Sequence, residues 1–458
     1  MLKGKRSMFR RKNVDATQGP IISTMIIYCI PLILSTLIQT LFNAVDVVVL
    51  GNMADATAVA SVGATSSVFH LLVFGFVGIS GGLKVLIARY IGARETERVS
   101  NTISTSLIFS AVFGVIIIAA GYYLTPVFLD LTNCPADCYD GAVIYLRIYF
   151  AATPAVLLYN FGSSVLTAGG DTQRPLYYML AGGILNVVLN IVLCLILEQK
   201  VVAVAIATSA SQVLGAILTL VRIHKTYDLG IKNMRFDFHA LLSILRFGIP
   251  IAITNMLYPL ANIQIQSAIN SFGSAATAGS SAATNIEGIV SAFTASLGAA
   301  AGVFMSQNLG AMKHDRVKKS FYHSLWMAVL TGLVIGGFMY LTGEFWLSLL
   351  LGKNSADAVS FGMVRLLFVT LVYFIAAANG VLGHAIQSFG YPVVSSVSSI
   401  VCVLVFRMIW MTWVYPLNEN FYCLNACFTV SWTLLLLCNI VSFTIIYRRY
   451  LKGKYQAI

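Results

Sequence analysis

The chain has 458 residues; 58% are hydrophobic, 10% are charged, mean hydropathy is +0.83 and the formal net charge is +12. Soluble domains carry ~25% charged residues, so this composition excludes a water-soluble globular protein and points to an integral membrane protein. The positive excess alone would suit a nucleic-acid partner, but its distribution, given below, argues for no nucleic acid.

Hydropathy predicts twelve helices, at about 22–50, 58–91, 99–128, 141–167, 174–197, 201–224, 247–271, 276–309, 319–350, 358–386, 392–415 and 424–447. Each has the ~20 apolar residues that a bilayer crossing needs. The basic N-terminal run is followed by Pro20 and a long helix with no small-residue cleavage site. The first helix therefore reads as a span and not as a removed signal peptide. It holds Pro31, which removes a backbone donor and lets the helix bend. It also carries Gln39, Asn43 and Asp46, close to i, i+4 and i+7, as one polar stripe.

Lys84 in the second helix lies near enough to the cytoplasmic edge to snorkel. After the third helix, Cys134 and Cys138 share an outer loop, where a local disulfide and two unpaired thiols both remain open. Asn160 follows in the fourth helix, Asn186 and Asn190 one turn apart in the fifth, and Thr208 in the sixth. A polar segment at 226–239 separates residues 1–225, an N-terminal six-helix bundle, from 240–458, a C-terminal one. The eighth helix is crowded with Gly, Ala and Ser, which serve either close packing or a moving interface. It also holds Glu287, the only mid-helix acid besides Asp46. A carboxylate in a bilayer costs ~3 kcal/mol. Glu287 is therefore read as a cavity acid or as the partner of a basic side chain. Arg147, Arg365 and Arg407 are read as structural, near helix ends or polar contacts.

The two halves repeat. Gly92-Ala93 recurs as Gly310-Ala311 (310 − 92 = 218), Ile30-Pro31 as Ile249-Pro250 (249 − 30 = 219), and Arg147 as Arg365 (365 − 147 = 218). With six spans each, the copies are parallel repeats related by an axis along the membrane normal. Twenty-three Lys and Arg residues fall on one side of the spans, and only Lys200 and Lys353 on the other. This predicts a multi-pass protein of the cell (inner or plasma) membrane with both termini in the cytoplasm. The basic clusters are placed to meet anionic headgroups of membrane lipids. There is no Walker A string, HExxH, GxSxG or paired catalytic carboxylate, so no enzyme is expected.

Several strings, in order, resemble the multidrug and toxic compound extrusion (MATE) transporters. They are Gln39 to Gly51, Ala88 to Ala93, Leu166 to Pro175, Asn186 to Asn190, Ala205 to Gln212 and Gln307 to Ala311. The resemblance implies an all-α membrane fold of two six-helix bundles related by a pseudo-twofold, V-shaped around a central cavity. It implies alternating-access efflux of amphipathic, often cationic compounds by a monomer with no cofactor, in exchange for H+ or Na+. The cation site it implies falls on Asp46, Asn160, Asn186, Asn190 and Thr208, with Na+ at Asp46 as one option, and the helix-one hinge falls on Pro31. Gln39, Asn43 and Glu287 are further polar candidates of the cavity. This chain departs from the family pattern at Asn190, where the branch best known has an acid, and it lacks a clear helix-ten acid. A flippase of a lipid-linked oligosaccharide or peptidoglycan precursor is the alternative on the same fold; it would need a cationic cavity.

Overall fold

A computed structural model describes residues 14–53, 56–132, 134–229, 234–352 and 355–453. The elements are α1 (Ile21–Met53), α2 (Ala56–Ala93), α3 (Thr96–Leu131), α4 (Tyr139–Ala168), α5 (Gln173–Ile196), α6 (Lys200–Tyr227), α7 (Phe238–Ser271), α8 (Ser274–Gly310), α9 (His314–Leu341), α10 (Gly343–Leu351), α11 (Ala356–Phe368), α12 (Tyr373–Ser388), α13 (Pro392–Ser399), α14 (Phe406–Ile409) and α15 (Phe421–Leu451). Two π-helical segments, Ile400–Val405 and Trp410–Val414, flank α14. Among the described residues there is no strand.

Ten of these helices, α1 to α9 and α15, and the continuous stretch Pro392–Leu417 are long and apolar enough to cross a bilayer, which makes eleven spans among the described residues and twelve if α11 and α12, bent by 43° at a short break, form one. The Phe368 carbonyl at that break accepts from Thr429 Oγ1 of α15 at 2.6 Å. A broken span needs such a partner, because lipid supplies none. The expected ninth helix is α9 with α10, and the eleventh is α13, α14 and the two π segments.

Large apolar side chains face outward on the spans, and small polar ones are packed inside. On α3, Val112, Val115 and Ile116 are more than half exposed, while Ser104, Thr105, Ser106 and Ser110 are buried. The hydroxyls of Ser106 and Ser110 bond back to Ile103 O and Ser106 O. A polar side chain satisfied on its own helix can be packed inside, leaving the large apolar ones for lipid.

The repeat recurs in the backbone. α2 closes with Glu95 N bonded to Tyr90 O and Arg94 N to Ile91 O; α8 closes with Lys313 N to Asn308 O and Met312 N to Leu309 O. These are Schellman turns, with Arg94 (φ 59°) and Met312 (φ 56°) in the left-handed region, 312 − 94 = 218 residues apart. α4 and α12 close the same way on Gly170 (φ 84°) and Gly390 (φ 89°). A hydroxyl one turn after each matched proline bonds its carbonyl: Ser35 to Pro31 O at 2.8 Å, and Thr254 to Pro250 O at 2.9 Å.

The described residues form two compact units, 14–15 with those of 30–248, and 16–29 with those of 249–453. Composition places the division at the polar segment 226–239, whereas contacts group residues 16–29 and 249 onward together. Residues 16–29 belong with the second unit: Ala16 N donates to Gln307 Oε1, Arg316 donates to the carbonyls of Ala16 and Gly19, and Tyr28 packs edge-on against Phe304. The start of α7 belongs with the first. Asp237 N donates to Thr105 Oγ1, and Gly82 and Gly248 pack backbone to backbone. α1 and α7 thus each change unit beside a proline, Pro31 in one and Pro250 in the other. Composition marks the polar segment as a boundary, but packing places it beside the two matched prolines.

Candidate functional site

In the first unit, the buried residues of α5 include Gly182, Asn186, Asn190 and Cys194, a stripe at spacing four. The opposite face presents Ile184, Val188, Ile191 and Leu195 outward. Gly182 brings the stripe against Ser211 O of α6. Asn186 and Asn190 are therefore held between α5 and α6, 6% and 1% exposed. Asn190 Nδ2 donates to Asn186 Oδ1 at 3.2 Å, and Asn186 Nδ2 donates to Thr208 Oγ1 at 3.4 Å. The result is a directed line of amide and hydroxyl groups in an apolar setting. Oxygen donors of this kind suit a small hard cation or a proton-bearing partner.

The structure joins Asn186, Asn190 and Thr208. Asn160 is half-buried on α4 and donates to Val156 O of its own helix at 2.8 Å. Gln39 is exposed and Pro31 is buried on α1. The backbones of Asn43 and Asp46 are helical, but their side chains lie outside the described residues.

In the second unit, Glu287 of α8 pairs with Arg365 of α11, Nε to Oε1 at 2.7 Å and Nη2 to Oε2 at 3.1 Å. Of the two readings of Glu287, the structure favours the paired acid. Arg365 also lies over the Phe428 ring, 5.2 Å from its centre. In the matching position of the first unit, Arg147 lies over Tyr122 at 4.1 Å.

Arg407, read as structural near a helix end or a polar contact, is held by polar contacts, from the sixteenth residue of the 26-residue span Pro392–Leu417 (407 − 392 + 1 = 16), and is 1% exposed. Its Nε donates to Ser431 Oγ at 3.1 Å and its Nη1 to Asn262 Oδ1 at 2.9 Å. Its guanidinium lies 4.4 Å from the centre of Phe428 and 5.9 Å from that of Tyr258. The position in the span was legible in the sequence; the partners, from α7 and α15, were not.

The profile of the MatE family matches residues 31–192 and again 250–413, beginning each time at the matched proline. The chain is 27% identical over 391 residues to "Probable multidrug resistance protein YoeA" of Bacillus subtilis, covering 82% of this chain and 84% of that one. It is 22% identical over 265 residues to the multidrug export protein MepA of Staphylococcus aureus, covering 57% and 58%. Among solved structures, a MATE in complex with MaL6 superposes with a TM-score of 0.86 at 21% identity over 97% of this chain and 100% of that one. A MOP-superfamily transporter from Pyrococcus furiosus, described as having a binding pocket of reverse polarity, gives 0.84 at 20% identity over 97% and 99%. The twofold profile match spans more than half of the chain, and the chain belongs to the MatE family.

Proposed function

We propose that the protein exports amphipathic, often cationic compounds across the cell membrane by antiport against H+ or Na+. The observation that carries this reading is the repeated MatE match, in a chain whose relatives bear the names of multidrug resistance and export proteins. The Lys and Arg asymmetry supports a multi-pass orientation with both termini in the cytoplasm. Amphipathic small molecules and membrane lipids are the partners on this reading, and the working form is a monomer.

Ion entry at Asp46 engages the carboxylate of α1 beyond Pro31. The line Asn190, Asn186, Thr208 supplies neutral oxygens from α5 and α6, and Asn160 belongs to the same site on family resemblance. With an asparagine at 190, one carboxylate remains, so one H+ or one Na+ brings the site to neutrality. Bending at Pro31 then changes the affinity for the exported compound, and the compound gains access to each face in turn. The ion can shift this equilibrium only by binding one state more tightly than the other. Asp46→Asn should abolish ion-driven dye export in everted vesicles while the protein stays folded in the membrane. Full export by that variant under a maintained gradient would remove Asp46 from the mechanism.

The flippase reading has less support. It needs several cationic side chains lining a cavity; of the four inside spans, Arg365 is paired with Glu287 and Arg147 lies against Tyr122, which leaves Lys84 and Arg407.

A further inference from the structure

The turn between α4 and α5 holds a charge cluster that the export mechanism does not use. α4 and α12 both close on a left-handed glycine, with Asp171 N bonded to Leu166 O in one and Tyr391 N to Ile386 O in the other. In the second unit a proline follows at once, in Gly390-Tyr391-Pro392. In the first unit the turn runs three residues longer (175 − 170 = 5 against 392 − 390 = 2), and the longer turn brings Asp171 and Arg174. The second unit makes the same turn with neither, so the fold does not require them. Asp171 is buried, and its Oδ1 accepts from Arg174 N at 3.3 Å. Its Oδ2 takes the guanidinium of Arg174 and stands 3.7 Å from Nε of Arg222 on α6.

Two guanidinia thus share one carboxylate, and Asp171 is the only acid within ion-pair distance of either among the described residues. The cluster carries a net charge of +1 (2 − 1 = 1). Lys225, exposed one turn beyond Arg222, adds to the same field. Arg222 Nε is buried without a hydrogen bond. The remaining nitrogens, Arg174 Nε and Nη2 and both Nη groups of Arg222, are also unbonded among the described residues, but they are not sealed. The two side chains are 33% and 22% exposed. Two adjacent planar forks with open N–H groups fit the oxygens of one phosphate.

The cluster stands where the outward apolar surface of α5 and α6 ends. α5 turns Tyr177 and Ile184 outward, α6 turns Ile217 and Val221 outward, and the two helices pack side by side at Gly182 and Ser211. In a bilayer these stripes meet acyl chains. Tyr177, one turn after Arg174, stands at the headgroup level that suits an amphipathic ring. The side is the one that the Lys and Arg asymmetry assigns to the cytoplasm. We infer that this corner binds one anionic phospholipid of the cytoplasmic leaflet, its phosphate across Arg174 and Arg222 and its acyl chains along α5 and α6. A headgroup with one net negative charge balances the cluster, whereas a zwitterionic headgroup brings a cation that the two arginines repel. Basic pockets beside spans take anionic headgroups in this way. The site is a fixed pair of forks, distinct from the diffuse attraction of the basic loops, and it does not rest on the export reading.

The purified full-length protein in detergent is titrated with phosphatidylglycerol and with phosphatidylcholine of the same acyl chains, and native mass spectrometry reads the first lipid bound. Phosphatidylglycerol should bind roughly ten-fold more tightly, the ratio expected of one charge-assisted hydrogen bond. Arg174→Gln leaves Asp171 paired with Arg222 and the cluster neutral, and should bring the two lipids within about two-fold. Replacing Arg448 and Arg449, two exposed charges at the end of α15, with Gln should leave the preference intact. Equal affinities in the parent protein, a preference that survives Arg174→Gln, or an equal loss in the α15 variant overturns the inference. Inorganic phosphate at the lipid's concentration should leave the lipid bound; displacement would show a site for a bare anion and overturn the assignment to lipid. Should Arg174→Gln not purify as a folded protein, phosphatidylglycerol with a diazirine in its acyl chain is photolysed on the parent. The label should fall on the peptides holding Tyr177 or Val221, and its absence from both equally overturns the inference.

Discussion

Replacing Glu287 with leucine leaves two guanidinia, Arg365 and Arg407, buried around Phe428 with no carboxylate between them. The side chains of Glu287 and Arg365 are 13% and 9% exposed, so solvent screens them little. Their two bonds, at 2.7 and 3.1 Å, are charge-assisted and parallel. At ~1.5–3 kcal/mol for each hydrogen bond to a charged group, the pair is worth about 3 kcal/mol at the low end. Loss of one partner from a buried pair costs ~3–5 kcal/mol. Glu287→Leu and Arg365→Met should each lower stability by about 3 kcal/mol, and the double variant should recover most of the loss, because it leaves neither partner of the pair as an uncompensated charge. Reversible unfolding in mixed detergent micelles, followed by tryptophan fluorescence, measures all four corners of the cycle. A coupling at or below ~0.6 kcal/mol, the average for ordinary hydrogen-bonded pairs in membranes, would refute the argument.

Gly170 carries φ 84° at the end of α4, and a Cβ there would collide with Val14 O. Gly170→Ala should therefore destabilise by more than the ~1–2 kcal/mol of a left-handed L-residue alone, whereas Met312→Gly, in the matching kind of turn with φ 56°, should stabilise by about 1 kcal/mol; the same micelle unfolding reads both, and a stable Gly170→Ala contradicts the turn geometry. Cys134 Sγ and Cys138 Sγ are 3.8 Å apart in the loop between α3 and α4. Mild oxidation should join them, with loss of maleimide labelling at both and the loss of two hydrogens by peptide mass. Burial and the Cys138 hydrogen bond push the Cys134 thiol up from its ordinary value. Its thiolate is then scarcer at neutral pH, so closure should quicken as pH rises; closure at a pH-independent rate, or no closure, is the contrary result.

The membrane class, the span count and the internal repeat were legible because each depends on local composition. A bilayer selects apolar runs of fixed length, and the Gly-Ala turns at 92 and 310 keep their register without reference to distant residues. The pairing of Asn186 with Asn190 was legible for the same reason, being one helical turn. Three features were not legible. Glu287 meets Arg365 across 78 residues, and only the packing of α8 on α11 selects that partner over Lys or water. The exchange of helix halves at Pro31 and Pro250 depends on which surface each half covers, not on composition. The π segments around Arg407 follow from how α13 to α14 pack, since Ile400–Val405 is as regular in hydropathy as any neighbouring stretch.

Export itself is the direct test. Everted membrane vesicles containing the protein are loaded with a fluorescent cationic dye outside, and a proton gradient and a sodium gradient are imposed separately. The account predicts that at least one of the two drives dye into the vesicles and that collapsing that gradient stops it. Dye uptake that persists with both gradients collapsed, or none under either, contradicts ion-coupled export by this chain.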